Sequence, residues 1–355
     1  MRGKEIAWRT LARERIEESC IVGDWVFHPG FWPAVTGRRL SENPLAVAVE
    51  AFRRVGANLT PQFAVGEPQQ FFGNVRQAAP KSCSPEELRD AWEQLPEPSA
   101  LEHDFDLAAT ARDYARPILD FQQVAQEDIL RISYFGQVDF MGGYGQWGYE
   151  AFLSALLLYP EHAERYFAYS AASARLLNLA VVEAVRKHDL APFVYGGQDI
   201  CFNGGPLCSP QWLAQHYFPH FHKALEPLHQ AGLRIIWHCD GDIRPILPSL
   251  LDIGVAGFQG FQEETGVTLR EMAGLRTKWG TKPIIWGSVS VTTTLPFGTP
   301  QQVRREVERC FRQGAAGGGF ALAHSSSVLP EVPIENILAF YEAGRAAGAS
   351  LATLA

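Results

Sequence analysis

Five short apolar runs between residues 190 and 325 constrain this chain more than any other feature of its sequence. They lie at 192–195, 233–237, 255–258, 283–286 and 319–323. Each is short and apolar, leads into glycine or polar residues, and is followed by a helical stretch. Apolar runs without alternation belong to strands covered on both faces, and strands alternating with helices build a parallel sheet. Periodicity leaves two α/β architectures open, a doubly wound open sheet and a closed barrel. In both, ligands bind at the carboxyl ends of the strands.

The helical stretches carry their own boundaries. Ser209-Pro210 and Thr299-Pro300 each place an N-cap ahead of a proline at the first helical position. They predict one helix through Tyr217 and another over Gln301 to Gln313 that closes at Gly314. A last helix is predicted from Pro333 to Ala347, ending at Gly348, and Ser84 caps a helix that begins at Pro85. Residues 1–130 read as less regular: an N-terminal helix, an aromatic loop around Trp25 to Trp32, a strand near Asn58-Leu59-Thr60, then further helices.

Composition narrows the function classes. A net charge of −8 without any Lys/Arg run argues against a nucleic-acid partner, because such affinity comes mainly from cations on phosphates. No apolar stretch is long enough to predict a membrane span. The N-terminus enters a charged helical pattern and not an apolar signal segment, so a cytoplasmic location is expected. The six cysteines form no CxxC pair and are expected to be thiols.

The residues just past each run are the candidates for chemistry. Alternation along the second run puts His238 and Asp240 on the face of Ile236, with Cys239 turned the other way as a buried, inert thiol. A His and a carboxylate two residues apart serve as general acid/base partners or as metal ligands. The bland alternative is a His satisfied by a loop carbonyl and an Asp that caps the next helix. Asp199 follows two glycines, which let backbone and ligand approach closely; it is otherwise a turn former. Of the pair Glu263-Glu264 just past the third run, one is expected to be only solvated. His324 precedes Ser325-Ser326-Ser327, a run suited to binding an anion through hydroxyls and amides. His216 and His220 share the i, i+4 spacing of zinc pairs, but Pro219 lies between them and no HExxH is present, so they are set aside.

Six segments now combine in order: Gly204 to Pro210, His238-Cys239-Asp240-Gly241-Asp242-Ile243, Trp286 to Val289, Leu295 to Pro300, Gly317 to Phe320, and Leu329 to Asn336. Together they resemble the uroporphyrinogen decarboxylase superfamily, which includes corrinoid-linked methyltransferases. The resemblance is specific over about residues 190–350 and loose over 1–130. It implies a (β/α)₈ TIM barrel with an irregular, partly helical N-terminal segment, the whole chain (1–355) forming one domain. The decarboxylase branch is marked by an Arg-rich segment near the N-terminus. Here stand Trp25, Phe27, His28, Phe31 and Trp32, which are expected to line a substrate entrance, or else to plug the base of the barrel. The methyltransferase branch is marked by a His-x-Cys zinc pair and a later Cys. Here these positions hold His238, Asp240 and the serines around Ser326.

The resemblance therefore implies an enzyme that demethylates a small methyl ether or amine, aromatic ones included, and passes the methyl group to a corrinoid on a partner protein. His238, Asp240 and Asp199 would be catalytic, with Ser326 and His324 on the substrate. Zinc, held by His238, Asp240 and Glu263 through N and O donors, is the candidate metal. Two further expectations stand beside it. One is a decarboxylase of a tetrapyrrole or another acid with Asp199 or His238 as proton donor; the other is a small-molecule binding barrel without catalysis.

Overall fold

All five apolar runs are strands in the computed structural model, which describes residues 1–61 and 83–351. In chain order the strands are β1 (Leu59–Thr60), β2 (Leu130–Arg131), β3 (Ser133–Tyr134), β4 (Phe193–Gly197), β5 (Cys201–Phe202), β6 (Gly205–Pro206), β7 (Arg234–His238), β8 (Val255–Gln259), β9 (Ile284–Val289) and β10 (Phe320–His324). Four of the five runs begin one residue later than the apolar pattern predicts, and all extend into the polar residues that follow. His238, Gln259 and His324 are consequently the last residues of strands and not the first residues of loops. The chain divides into two compact units, described residues 1–61, 117–133 and 256–351 in the first, and 83–116 and 134–255 in the second.

The first unit is built on parallel pairings. β8 pairs with β9 (Gly257 opposite Ile284) and β9 with β10 (Ile285 opposite Phe320). The extended pair Ile21 and Val22 bridges Leu322 of β10 on one side and Leu59 of β1 on the other, and β1 pairs with β2. Every residue of β8, β9 and β10 is buried, as the unbroken apolar runs require. Each buried Ile, Leu or Phe in such a sheet contributes about 1.5–3 kcal/mol of transfer free energy. The helix Pro300–Gly314 opens on a reciprocal Thr299–Gln302 capping box and buries Val303, Val307, Cys310 and Phe311, a stripe at helical spacing. The final helix, Ile334–Leu351, runs through Gly348 instead of ending there. A glycine inside a helix costs only about 1 kcal/mol, and no terminating turn forms at this one.

In the second unit β4 and β7 are parallel, with Gly197 opposite His238, and β5 and β6 form a short antiparallel pair. The 29-residue helix Pro160–His188 packs along Phe218–Gln230. Asn178, fully buried, fixes that packing: its Oδ1 accepts from Gly136 N at 2.6 Å, and its Nδ2 donates to Gly136 O and Ala224 O. The helix predicted through Tyr217 ends at His216, and a second begins at Phe218 with Pro219 in its first turn. Tyr217 at the break donates its hydroxyl to Val138 O at 2.8 Å. Among the described residues no helix is long and apolar enough to cross a membrane.

Candidate functional site

The register of β4 and β7 creates the site. With Gly197 opposite His238, the residues just past both strands emerge side by side: Gln198 and Asp199 from one, Cys239 and Asp240 from the other. Gly197 is required here, because a Cβ at that position would lie 1.7 Å from His238 O. The turn after Asp240 needs Gly241, whose φ is +86° and whose missing side chain makes room for the main chain of Phe202.

His238 is buried, 5% exposed, while Asp199 and Asp240 are partly exposed. His238 Nε2 lies 3.5 Å from Asp199 Oδ1 and 3.9 Å from Asp240 Oδ1, and the Asp240 main-chain N–H donates to Asp199 Oδ1 at 3.0 Å. One donor atom from each of the three residues falls within 4.8 Å of the others. A tetrahedral ion with bonds of about 2.0–2.2 Å places its ligand atoms roughly 3.3–3.6 Å apart. The cluster therefore has both the donor types, one imidazole and two carboxylates, and nearly the separations of a divalent-metal site.

Cys239 is not part of it. The thiol is buried beside Cys201, and burial, reinforced by that second thiol, pushes its ionisation well above the ordinary range. Asp242, two residues on, is taken by Arg244, whose Nε and Nη2 approach its carboxylate at 2.8 and 2.7 Å and hold it below the usual carboxylate range. His216 and His220 each contact one oxygen of Glu164, at 2.7 and 2.6 Å. They lie outside the groups of three or more His, Cys, Asp and Glu residues whose donor atoms converge closely enough for an ion.

The expectation for Glu263 is corrected. Its carboxylate is bridged by Arg309 (2.6 and 3.2 Å) and also accepts from Ser288 Oγ and Leu269 N, and its close neighbours with donor atoms are Glu306 and Cys310. The acid that joins His238 and Asp240 is Asp199. Glu264 is engaged too, by the hydroxyls of Ser290, Thr292 and Thr293, so neither acid is merely solvated.

The aromatic segment of the first unit divides. Phe31 and Trp32 are buried against each other and against Tyr341 and Phe52, and Phe27 is buried with its N–H on Val328 O; all three are packing residues of that unit. His28 accepts from Gly30 N at Nδ1, and burial lowers its basicity. Trp25 is partly exposed and sits at φ +40°, a left-handed conformation unusual for a bulky residue. His324 is 1% exposed, its Nδ1 on Ser326 O and its Nε2 3.1 Å from Asp24 Oδ1, itself 1% exposed. Asp24 is a buried acid that sequence reasoning passed over. Its one signal was a carboxylate inside an otherwise apolar stretch, Cys20 to Phe27.

The uroporphyrinogen decarboxylase (URO-D) family model matches residues 140–347, more than half of the chain. Among solved structures 25 chains match. One, a methyltransferase from Methanosarcina mazei, is 17% identical over 97% of this chain and 98% of that one, with a TM-score of 0.64. That likeness shows the fold, an α/β architecture of the TIM-barrel type, as the family resemblance implied. No curated protein matches.

Proposed function

Because the chain belongs to the uroporphyrinogen decarboxylase family, we propose that it is an enzyme of the methyl-transferring branch. It demethylates a small methyl ether or amine, aromatic ones included, and gives the methyl group to a corrinoid carried by a partner protein. The observation that carries this reading is the convergence of Asp199, His238 and Asp240, with neither thiolate nor guanidinium among the three. Two carboxylates and an imidazole fit a divalent ion such as zinc. When bound, such an ion supplies Lewis acidity that makes an oxygen or nitrogen a better leaving group.

The protein's own contribution is placement. His238, buried at the end of β7, offers Nε2 from a fixed direction, and the Asp240 N–H holds the Asp199 carboxylate beside it. Oxygen and nitrogen donors suit a site that activates the substrate directly, whereas thiolates suit one that activates a thiol.

The test is metal analysis followed by turnover. Purified protein should contain zinc in stoichiometric amount. With a reduced corrinoid protein and a methoxylated aromatic or methylamine panel it should produce the visible-absorbance change of cobalt methylation. No change across the panel refutes methyl transfer. Decarboxylation is the second reading, favoured by the description of the matching family itself. There Asp199 or His238 would deliver a proton to the carbon that loses carbon dioxide, and chromatography of products from uroporphyrinogen would reveal it.

A further inference from the structure

Of the three residues only His238 lies within a strand; Asp199 and Asp240 each stand two residues past a strand end, Asp199 in the segment that leads from β4 to β5. A ligand on such a segment keeps its place only if other groups fix it to within about 0.5 Å. The helix Met141–Trp147 does so at two points. The main-chain N–H groups of Phe140 and Met141 both donate to Gln198 Oε1 at 2.8 Å. One turn later the Tyr144 hydroxyl donates to Asp199 O at 3.0 Å.

Tyr144 is itself well anchored. Its ring stacks on Tyr149 at 4.3 Å between centroids and 13° between planes, and meets Phe140 edge-on.

We propose that Tyr144 is a positioning residue for the Asp199 carboxylate, acting on the main chain of Asp199 and not on any ligand. The inference rests on the reading of Asp199, His238 and Asp240 as a metal site. Groups that orient ligands in this way typically change metal affinity by about 10–100-fold when removed.

The experiment measures Zn²⁺ affinity by chelator competition on the full chain, for wild type, His238→Ala and Tyr144→Phe. It adds Co²⁺ d–d absorption as a report on coordination, and thermal unfolding in excess chelator. Wild type should bind one Zn²⁺ and His238→Ala should lose it. Tyr144→Phe should bind about 10–100-fold more weakly, with an altered Co²⁺ spectrum and an unchanged melting temperature in chelator. A wild-type chain that binds no Zn²⁺, or a His238→Ala chain that binds it equally well, overturns the metal reading and this inference with it. If those two behave as expected while Tyr144→Phe matches wild type in affinity and spectrum, the positioning role alone is refuted. A Tyr144→Phe chain whose melting temperature in chelator falls together with its affinity assigns Tyr144 to packing, which also refutes it.

Discussion

Replacing Asp24 by Ala should destabilise the first unit severely. Asp24 and His324 are each 1% exposed and stand 3.1 Å apart, at the ends of parallel segments bridged at Ile21 and Leu322. Their contact is electrostatic and not a well-aligned hydrogen bond. The other ring nitrogen of His324 faces the Ser326 carbonyl, which can only accept. Removing one partner of a buried pair leaves an uncompensated polar group and costs about 3–5 kcal/mol. In a cooperative unit of 150–250 residues each kcal/mol shifts Tm by about 2–4 °C, so the loss should be ~6–20 °C. The assay is a double-mutant cycle of Asp24→Ala, His324→Ala and both together, followed by urea and thermal unfolding. The expected coupling energy is of order 1–3 kcal/mol. A single-mutant loss under about 1 kcal/mol, or strict additivity, would refute the argument that these two groups depend on each other.

Three other outcomes follow from the same geometry. Glu263→Gln should leave Zn²⁺ stoichiometry unchanged, because Arg309 and Ser288 already occupy that carboxylate; Asp240→Asn should lower affinity at least tenfold, and the reverse pattern in chelator competition would restore Glu263 as a ligand. Arg244 depresses the ionisation of Asp242, so the pair's stabilisation is complete above the unfolded carboxylate's value near pH 4 and disappears as pH falls through the lower folded value. In acid unfolding Arg244→Gln should flatten that limb, and identical acid limbs would contradict it. Burial pushes Cys20, Cys208 and Cys310 up to about 12 and Cys239 well above its ordinary value, so a thiol reagent at about pH 8 should react with these four only after denaturation; rapid native reaction at any of them, mapped by mass spectrometry, would show the burial to be wrong.

What the sequence disclosed, and what it concealed, follows the distance over which each feature is decided. The strands were legible because burial on both faces leaves an unbroken apolar run, and the helix starts at Ser84, Ser209 and Thr299 because an N-cap is settled within four residues. His238 and Asp240 were legible as a pair for the same reason: strand alternation fixes which way neighbours point. Asp199 needed one further fact, that β4 pairs with β7 in the register that sets Gly197 opposite His238. Asp24 needed a contact across 300 residues of chain, and nothing near Asp24 in the sequence refers to His324. Glu263 failed in the opposite sense, since a carboxylate just past a strand has the right address for a ligand until Arg309, 46 residues away, claims it. A polar residue at a strand end thus announces only that it faces other strand ends. Whether it becomes ligand, ion-pair partner or buried acid depends on which distant cation or carboxylate the packing brings to it. Arg309 answers Glu263 and Arg244 answers Asp242, whereas the carboxylates of Asp199 and Asp240 lie against His238, which is the arrangement the proposed metal site starts from.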